Sequence, residues 1–206
     1  MTGYFIAFEG GEGAGKSTQE GLLAAHLADC GHSIVRTREP GGTPASEAIR
    51  SVVLNPDFTG LDARAEALLF AAARGEHVAR VIRPALERGD VVICDRYIDS
   101  SVSYQGVGRD LGIATIRDLS IWATQGCIPD LTIILDVDPA LGLSRVANPD
   151  RMEAEPIEFH RSVREGFLTL AALDPDRYLI VDARQTIEEI AVEIRSRVDA
   201  ELEARP

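Results

Sequence analysis

Lysine is all but missing from this chain. Lysine and arginine together number 21, and every one except Lys16 is arginine. Positive charge is scarce too: 33 acidic residues leave a formal net charge of −12 and a sequence pI near 4.8. So acidic a chain is unsuited to broad contact with nucleic acid or an anionic membrane. A local arginine cluster can still outweigh the global charge at short range and hold a small anion. Cysteine is sparse: Cys30, Cys94 and Cys127 are odd in number and form no Cys-x-x-Cys pair. That excludes a disulfide framework, argues against a metal site built on thiols, and points to reduced cysteines in the cytoplasm. His26, His32, His77 and His160 are scattered without ligand spacing and read as surface or core fillers. No apolar run approaches the roughly 18 residues of a membrane span. The opening MTGYFIAFEGGE lacks the basic segment and long apolar stretch of a signal peptide.

What is present reads as one domain over residues 1–206, large enough to bury about 70% of its unfolded surface without disulfides. Apolar runs at 4–8, 91–94, 131–135 and 179–181 predict strands, and Ser33 to Thr37 reads as a further one. Helical spacing fills the intervals: Lys16 to Asp29 with Gly31 ending it, Thr43 to Leu54, Leu61 to Arg88, and Thr186 to Glu203. Strands apolar on both faces and separated by helices imply a five-stranded parallel sheet covered on both sides, a three-layer α/β/α domain.

Between the first run and the first helix stands Gly10-Gly11-Glu12-Gly13-Ala14-Gly15-Lys16-Ser17-Thr18. It matches G-x-x-x-x-G-K-[ST] in full, in the required strand–loop–helix context. Glycines let successive N–H groups turn inward as a nest, and the helix start adds partial positive charge. Lysine is a compact charge on a flexible stem that can follow a moving phosphoryl group, whereas arginine is a rigid fork. This position is the one that needs a point charge, which accounts for Lys16. Ser17 is the expected Mg²⁺ contact. A GTPase would need a second lysine in an Asn-Lys-x-Asp segment, and none exists. A small-molecule kinase and a non-catalytic nucleotide sensor remain.

Four further stretches bear on the choice: Thr37-Arg38-Glu39-Pro40-Gly41-Gly42-Thr43, ALLFAAAR at 67–74, Asp95-Arg96-Tyr97-Ile98-Asp99-Ser100-Ser101-Val102-Ser103-Tyr104-Gln105-Gly106, and Pro129-Asp130-Leu131-Thr132. Asp95 and Arg96 end a buried strand, where open α/β sheets bind ligands. Phe70 and Arg74 are four apart and share a helix face, so that a ring can stack on a pyrimidine while the guanidinium bonds its carbonyl oxygen.

Together with FEGGEGAGKST, these stretches resemble the bacterial thymidylate kinase family, from about residue 4 to residue 183. The resemblance implies phosphoryl transfer from ATP to dTMP, with ATP as co-substrate and Mg²⁺ as cofactor. It places Arg96 and Arg50 on the acceptor phosphate, Phe70 and Arg74 at the base with Ser101 and Gln105 near it, and Tyr104 against the sugar. Glu39 and Ser100 join the substrate-binding set. Glu12 faces the acceptor sugar and its 3′-hydroxyl, between donor and acceptor. Asp95 suits a water-mediated Mg²⁺ contact. The resemblance also suggests a cis Glu39–Pro40 peptide and a homodimer through helices near 61–88 and 99–125.

Transfer needs positive charge around the phosphoryl oxygens, and the P-loop has no arginine. The segment at 145–156 resembles the family's lid, although it is shorter and poorer in basic residues. Arg145 and Arg151 are its candidate catalytic charges, beside Lys16, Glu12 and Arg96, with Arg161 and Arg164 in reserve. A deoxynucleoside kinase or another small-molecule P-loop kinase is the alternative, but an uncharged acceptor would leave Arg50 and Arg96 in excess.

Overall fold

In the computed structural model, which describes residues 3–205, five parallel strands form one sheet in the order β2-β3-β1-β4-β5. They are β1 Tyr4–Gly10, β2 Ile34–Arg38, β3 Val91–Asp95, β4 Leu131–Asp136 and β5 Tyr178–Asp182. β1 is central and wholly buried, its residues apolar on both faces except for Glu9 near its end. Phe5 and Ala7 enter one core with Val92, Cys94, Phe167 and Leu170; Tyr4, Ile6 and Phe8 enter the other with Leu23, Leu27, Ile194 and Val198. Alternation along the strand thus assigns one layer of helices to each face, giving the expected three-layer domain.

Helices α1 Lys16–Asp29 and α9 Ile187–Glu203 cover the second face; α3 Ala63–His77 and α8 Ile157–Leu173 belong to the first. The expected helix over 61–88 is present as an unbroken run, α3 followed by a π-helical turn Val78–Ile82 and the short α4 Arg83–Glu87. Pro84 has no N–H to give and loosens the ladder before it. A second π-helical stretch, Val102–Gly108, continues α5 Ile98–Ser101. The remaining helices are α2 Pro44–Val53, α6 Ile113–Thr124 and α7 Pro139–Leu143. Among the described residues no helix is long and apolar enough to cross a membrane.

Two features of this frame create a site. Parallel register sets Phe8 beside Asp95, so the loops after β1 and β3 leave the sheet together, at the point where the strand order reverses. Helix starts also differ. Thr43, Asp62 and Thr186 cap α2, α3 and α9 through their side chains, but α1 begins at Gly15 (φ 92°) with no side-chain cap and no acid in its first turn. Its first N–H groups stay open to a ligand anion.

The loop before α1 rests on α7. A methyl group at Gly142 would overlap the Glu12 carbonyl, and one at Gly13 would overlap the Gly142 carbonyl. Gly142→Ala is therefore expected to displace the loop, lowering both the thermal midpoint and turnover; a variant with native turnover and stability would contradict this contact.

Candidate active site

The open start of α1 and the end of β3 border a cleft of about 460 Å³. Glu12 through Thr18 line its floor. Gly10 and Gly11 do not line it; their carbonyls instead accept from Lys16 Nζ at 3.1 and 2.9 Å. Burial lowers the Lys16 pKa, and nearby Arg96 lowers it further, against the attraction of Asp95 and Glu12. Ser17 and Thr18 are exposed on the cleft side.

Arg96 holds the two loops together. Its backbone has φ 63°, a left-handed conformation that a branched or bulky residue rarely adopts. Its Nη2 donates to Glu12 Oε1 at 2.8 Å, and its Nη1 to Gly10 O at 3.2 Å and Ser100 Oγ at 3.3 Å. Tyr104 Oη donates to the same Glu12 oxygen at 2.6 Å, and the guanidinium lies over the Tyr104 ring. Burial alone would raise Glu12; Arg96, then Lys16 and the Tyr104 hydroxyl, overcome it and hold the carboxyl at about 2. An acid inside an anion cradle is thus permanently charged and paired.

On the opposite wall, Phe70 and Arg74 line the cleft from one face of α3, with Ser100, Ser101, Tyr104 and Gln105 beside them. Arg74 is 2% exposed. It donates from Nε to Glu39 Oε2 (2.6 Å), from Nη1 to Ser120 Oγ (3.1 Å) and from Nη2 to Ser101 Oγ (2.9 Å) and Tyr97 O (3.2 Å). The Glu39–Pro40 peptide is cis, as expected. Arg50 reaches the cleft and gives Nη1 to Pro40 O at 2.9 Å, leaving its other donors available.

The lid segment divides. Arg145 is exposed and its Nη1 rests on Gly13 O at 2.8 Å. Arg151, expected to meet the transferred group, faces elsewhere: it is buried, with Nη1 on Glu66 Oε2 and Nε on Val53 O, both at 2.7 Å. The physical reason is Glu66. That carboxylate is fully buried on α3, and Arg151 and Arg109 neutralise it. The reserves are engaged too, Arg164 bidentate on Asp136 and Arg161 on Glu158 at the surface. Asp150, Met152 and Glu153, not Arg151, bring the lid to the cleft.

Sequence reasoning missed Glu9, Glu66, His77 and Arg109. The buried acids carried one signal, carboxylates within otherwise apolar strand or helix faces. His77, read as a filler, bonds Glu39 and Thr37.

The thymidylate kinase family model matches residues 8–194. The chain belongs to the thymidylate kinase family. Curated thymidylate kinases of Clavibacter sepedonicus and Deinococcus radiodurans are 55% and 49% identical to it, over 96% and 95% of this chain and 95% and 96% of theirs. The crystal structure of a thymidylate kinase from Ehrlichia chaffeensis superposes with a TM-score of 0.81 at 33% identity, covering 96% of this chain and all of that one. As a thymidylate kinase, the chain is a phosphotransferase that uses ATP to phosphorylate dTMP.

Asp95 Oδ1 is buried without a hydrogen-bond partner, and Asp95 and Ser17 both line the cleft. Among the described residues no cluster of three or more His, Cys, Asp or Glu side chains is placed to hold a metal. One hydroxyl and one unpaired carboxylate oxygen fit Mg²⁺, which keeps several waters and relies on substrate phosphates for the rest.

Glu9 lies fully buried beneath, accepting from Tyr97 N (2.8 Å), Ser100 N (3.0 Å) and Ser100 Oγ (2.5 Å). Burial, then the charge of Asp99, raises it from 4.5 to about 7. Between those values the folded state keeps a proton that the unfolded state has lost. Glu9 therefore favours folding below about pH 4.5, and that contribution is lost as pH rises through 7. Glu9→Gln, which keeps the shape, is expected to gain stability relative to the native chain from pH 5.5 to 8.5, on the order of 2 kcal/mol, because the part of the shift from 4.5 to 5.5 already acts below that range. Parallel denaturant titrations at the two pH values check this; a constant difference would mean that Glu9 titrates normally.

Proposed function

We propose that the cleft brings ATP and dTMP together across Glu12 and Arg96, with each residue in the role its position allows. The observation that carries this is that an uncapped P-loop helix and the Phe70–Arg74 face open into one cavity, joined by the Glu12–Arg96 pair. The P-loop amides and Lys16 hold the β- and γ-phosphates of ATP. Ser17, and Asp95 through water, would hold Mg²⁺, which would supply neutralisation of phosphate charge. Arg96 and Arg50 orient the dTMP phosphate, whose oxygen attacks the γ-phosphorus; the bridging P–O bond breaks to leave ADP and dTDP. Phe70 stacks on the thymine, and Arg74 donates its remaining N–H to a ring carbonyl. Tyr104 and Glu12 pack against the deoxyribose. An ADP-release assay with dTMP, dUMP, thymidine and AMP tests the whole reading, which fails if dTMP is not clearly preferred.

The lid charge falls to Arg145, already at the P-loop backbone. Arg145→Ala is expected to lower kcat about a hundredfold, as when one transition-state donor is removed, without changing the thermal midpoint. Arg151→Ala strips a partner from buried Glu66 and destabilises the fold on the order of 3 kcal/mol. Equal kcat losses with equal stability in the two variants would restore Arg151 to the lid role.

The reading includes a homodimer through α3 and α6. Gly75 sits against the Ala123 backbone, so these helices pack closely, yet Leu68 and Trp122 on them are 57% and 80% exposed. A second copy covers such a face. Sedimentation is expected to give a dimer for the native chain and a monomer for Trp122→Glu; a native monomer ends the idea.

A further inference from the structure

Arg74 and Glu39 form a buried ion pair of an unusual kind. Arginine and carboxylate commonly meet as two parallel forks, which fixes both planes. Here only Nε and Oε2 meet, at 2.6 Å. The other guanidinium nitrogens are turned to Ser120, Ser101, Tyr97 O and the cleft. A single-point pair leaves the carboxylate free to swing about Oε2, so the one charged contact that aligns the guanidinium, beside Ser120, Ser101 and Tyr97 O, depends on what else holds Glu39.

Something else must hold Glu39, and it is His77. Its Nδ1 lies 3.0 Å from Glu39 Oε1, the oxygen that Arg74 does not use. Its Nε2 lies 2.6 Å from Thr37 Oγ1 on β2. The ring has no exposure, and a methyl group at Gly42 (φ 83°) would come within 2.6 Å of it. His77 stands three residues after Arg74 on α3, so both project from one face of the helix. A closed circuit results: Thr37 and Gly42 fix the ring, the ring fixes the carboxylate, and the carboxylate fixes the arginine.

We propose that His77 is a positioning residue for recognition of the acceptor base, acting through Glu39 to set the plane of Arg74. The proposal rests on the reading that Arg74 meets the pyrimidine. Arginine has five N–H donors and no acceptor; four are consumed within the protein. The one left on Nη1 can meet a carbonyl, as thymine offers, and not an exocyclic amino group, which would place donor against donor. Discrimination between dTMP and dCMP then depends on where a single N–H points, and that direction is what His77 holds.

The test uses chemically graded variants with steady-state kinetics on dTMP, dCMP and ATP, and thermal midpoints beside them. In His77→Asn the amide nitrogen stands where Nδ1 stood and can still donate to Glu39. In His77→Gln the amide reaches the Nε2 position and cannot. His77→Gln and His77→Leu are expected to raise KM for dTMP about tenfold, the scale of one charge-assisted hydrogen bond. Both narrow the preference over dCMP, with kcat changed less and KM for ATP unchanged. His77→Asn keeps the native values. If His77→Leu does not fold, the Asn and Gln pair makes the comparison alone. Asn and Gln variants that behave alike, or a KM for ATP that rises with that for dTMP, would overturn the proposal and leave His77 as core filling. Arg74→Lys separates the layers. If it erases the preference while the His77 variants keep it, the His77 proposal alone falls. If it leaves the preference intact, the base reading falls and takes the proposal with it.

Discussion

The contact between Arg96 and Glu12 is the one on which the rest of the site depends. A phosphate cradle that contains an acid repels its own ligand unless that acid is neutralised from outside the loop. Arg96 does this at 2.8 Å while also binding the Gly10 carbonyl, so the P-loop and the end of β3 become one rigid body. Parallel register makes the reach possible, since Phe8 and Asp95 lie side by side. The left-handed backbone at Arg96 is part of the same constraint. Backbone strain at such positions persists where surrounding contacts over-determine it, and three hydrogen bonds from one guanidinium do so here.

From that pair outward, the protein repeats one device: a carboxylate largely shielded from solvent and an arginine from another segment of the chain closing on it. Glu39 meets Arg74, Glu66 meets Arg109 and Arg151, and Glu12 meets Arg96. Pairs of this kind add little net stability, because desolvation offsets most of the attraction. Their value here is geometric. Each one crosses between elements that must stay in register for donor and acceptor to line up. A chain that uses arginine for every such clamp has forks wherever direction matters and a lone lysine where a charge must move.

The layers, the strands and the P-loop were legible because they are periodic or local: four apolar runs, a further strand at 33–37, and one glycine-rich octapeptide followed by helical spacing. The Phe70–Arg74 face followed from spacing alone. What sequence could not show was the choice of partners over long separations. Arg151 stands in a segment that reads as a lid, but its partner Glu66 lies 85 positions away and looks, in sequence, like an ordinary helical acid. The fork went to the buried carboxylate because an unpaired charge there costs several kcal/mol, more than solvent-exposed arginine gains by waiting for a ligand. His77 was hidden for the same reason, its two partners lying on β2 and just beyond it.

This redistribution of arginines changes how the lid must work. With Arg151 fixed on Glu66, and Arg109 spanning Glu66 and Glu155, the root of the lid is anchored to α3, the helix that carries Phe70 and Arg74. Gln105 donates to Glu66 as well, at 2.9 Å, so the acceptor wall and the lid root share one buried carboxylate. In the proposed function the charge near the phosphates is then left to Arg145, which contacts the P-loop through Gly13. On the proposed reading, a lid anchored at its far end meets ATP without disturbing the acceptor pocket, because the Glu66 clamp beside that pocket stays closed.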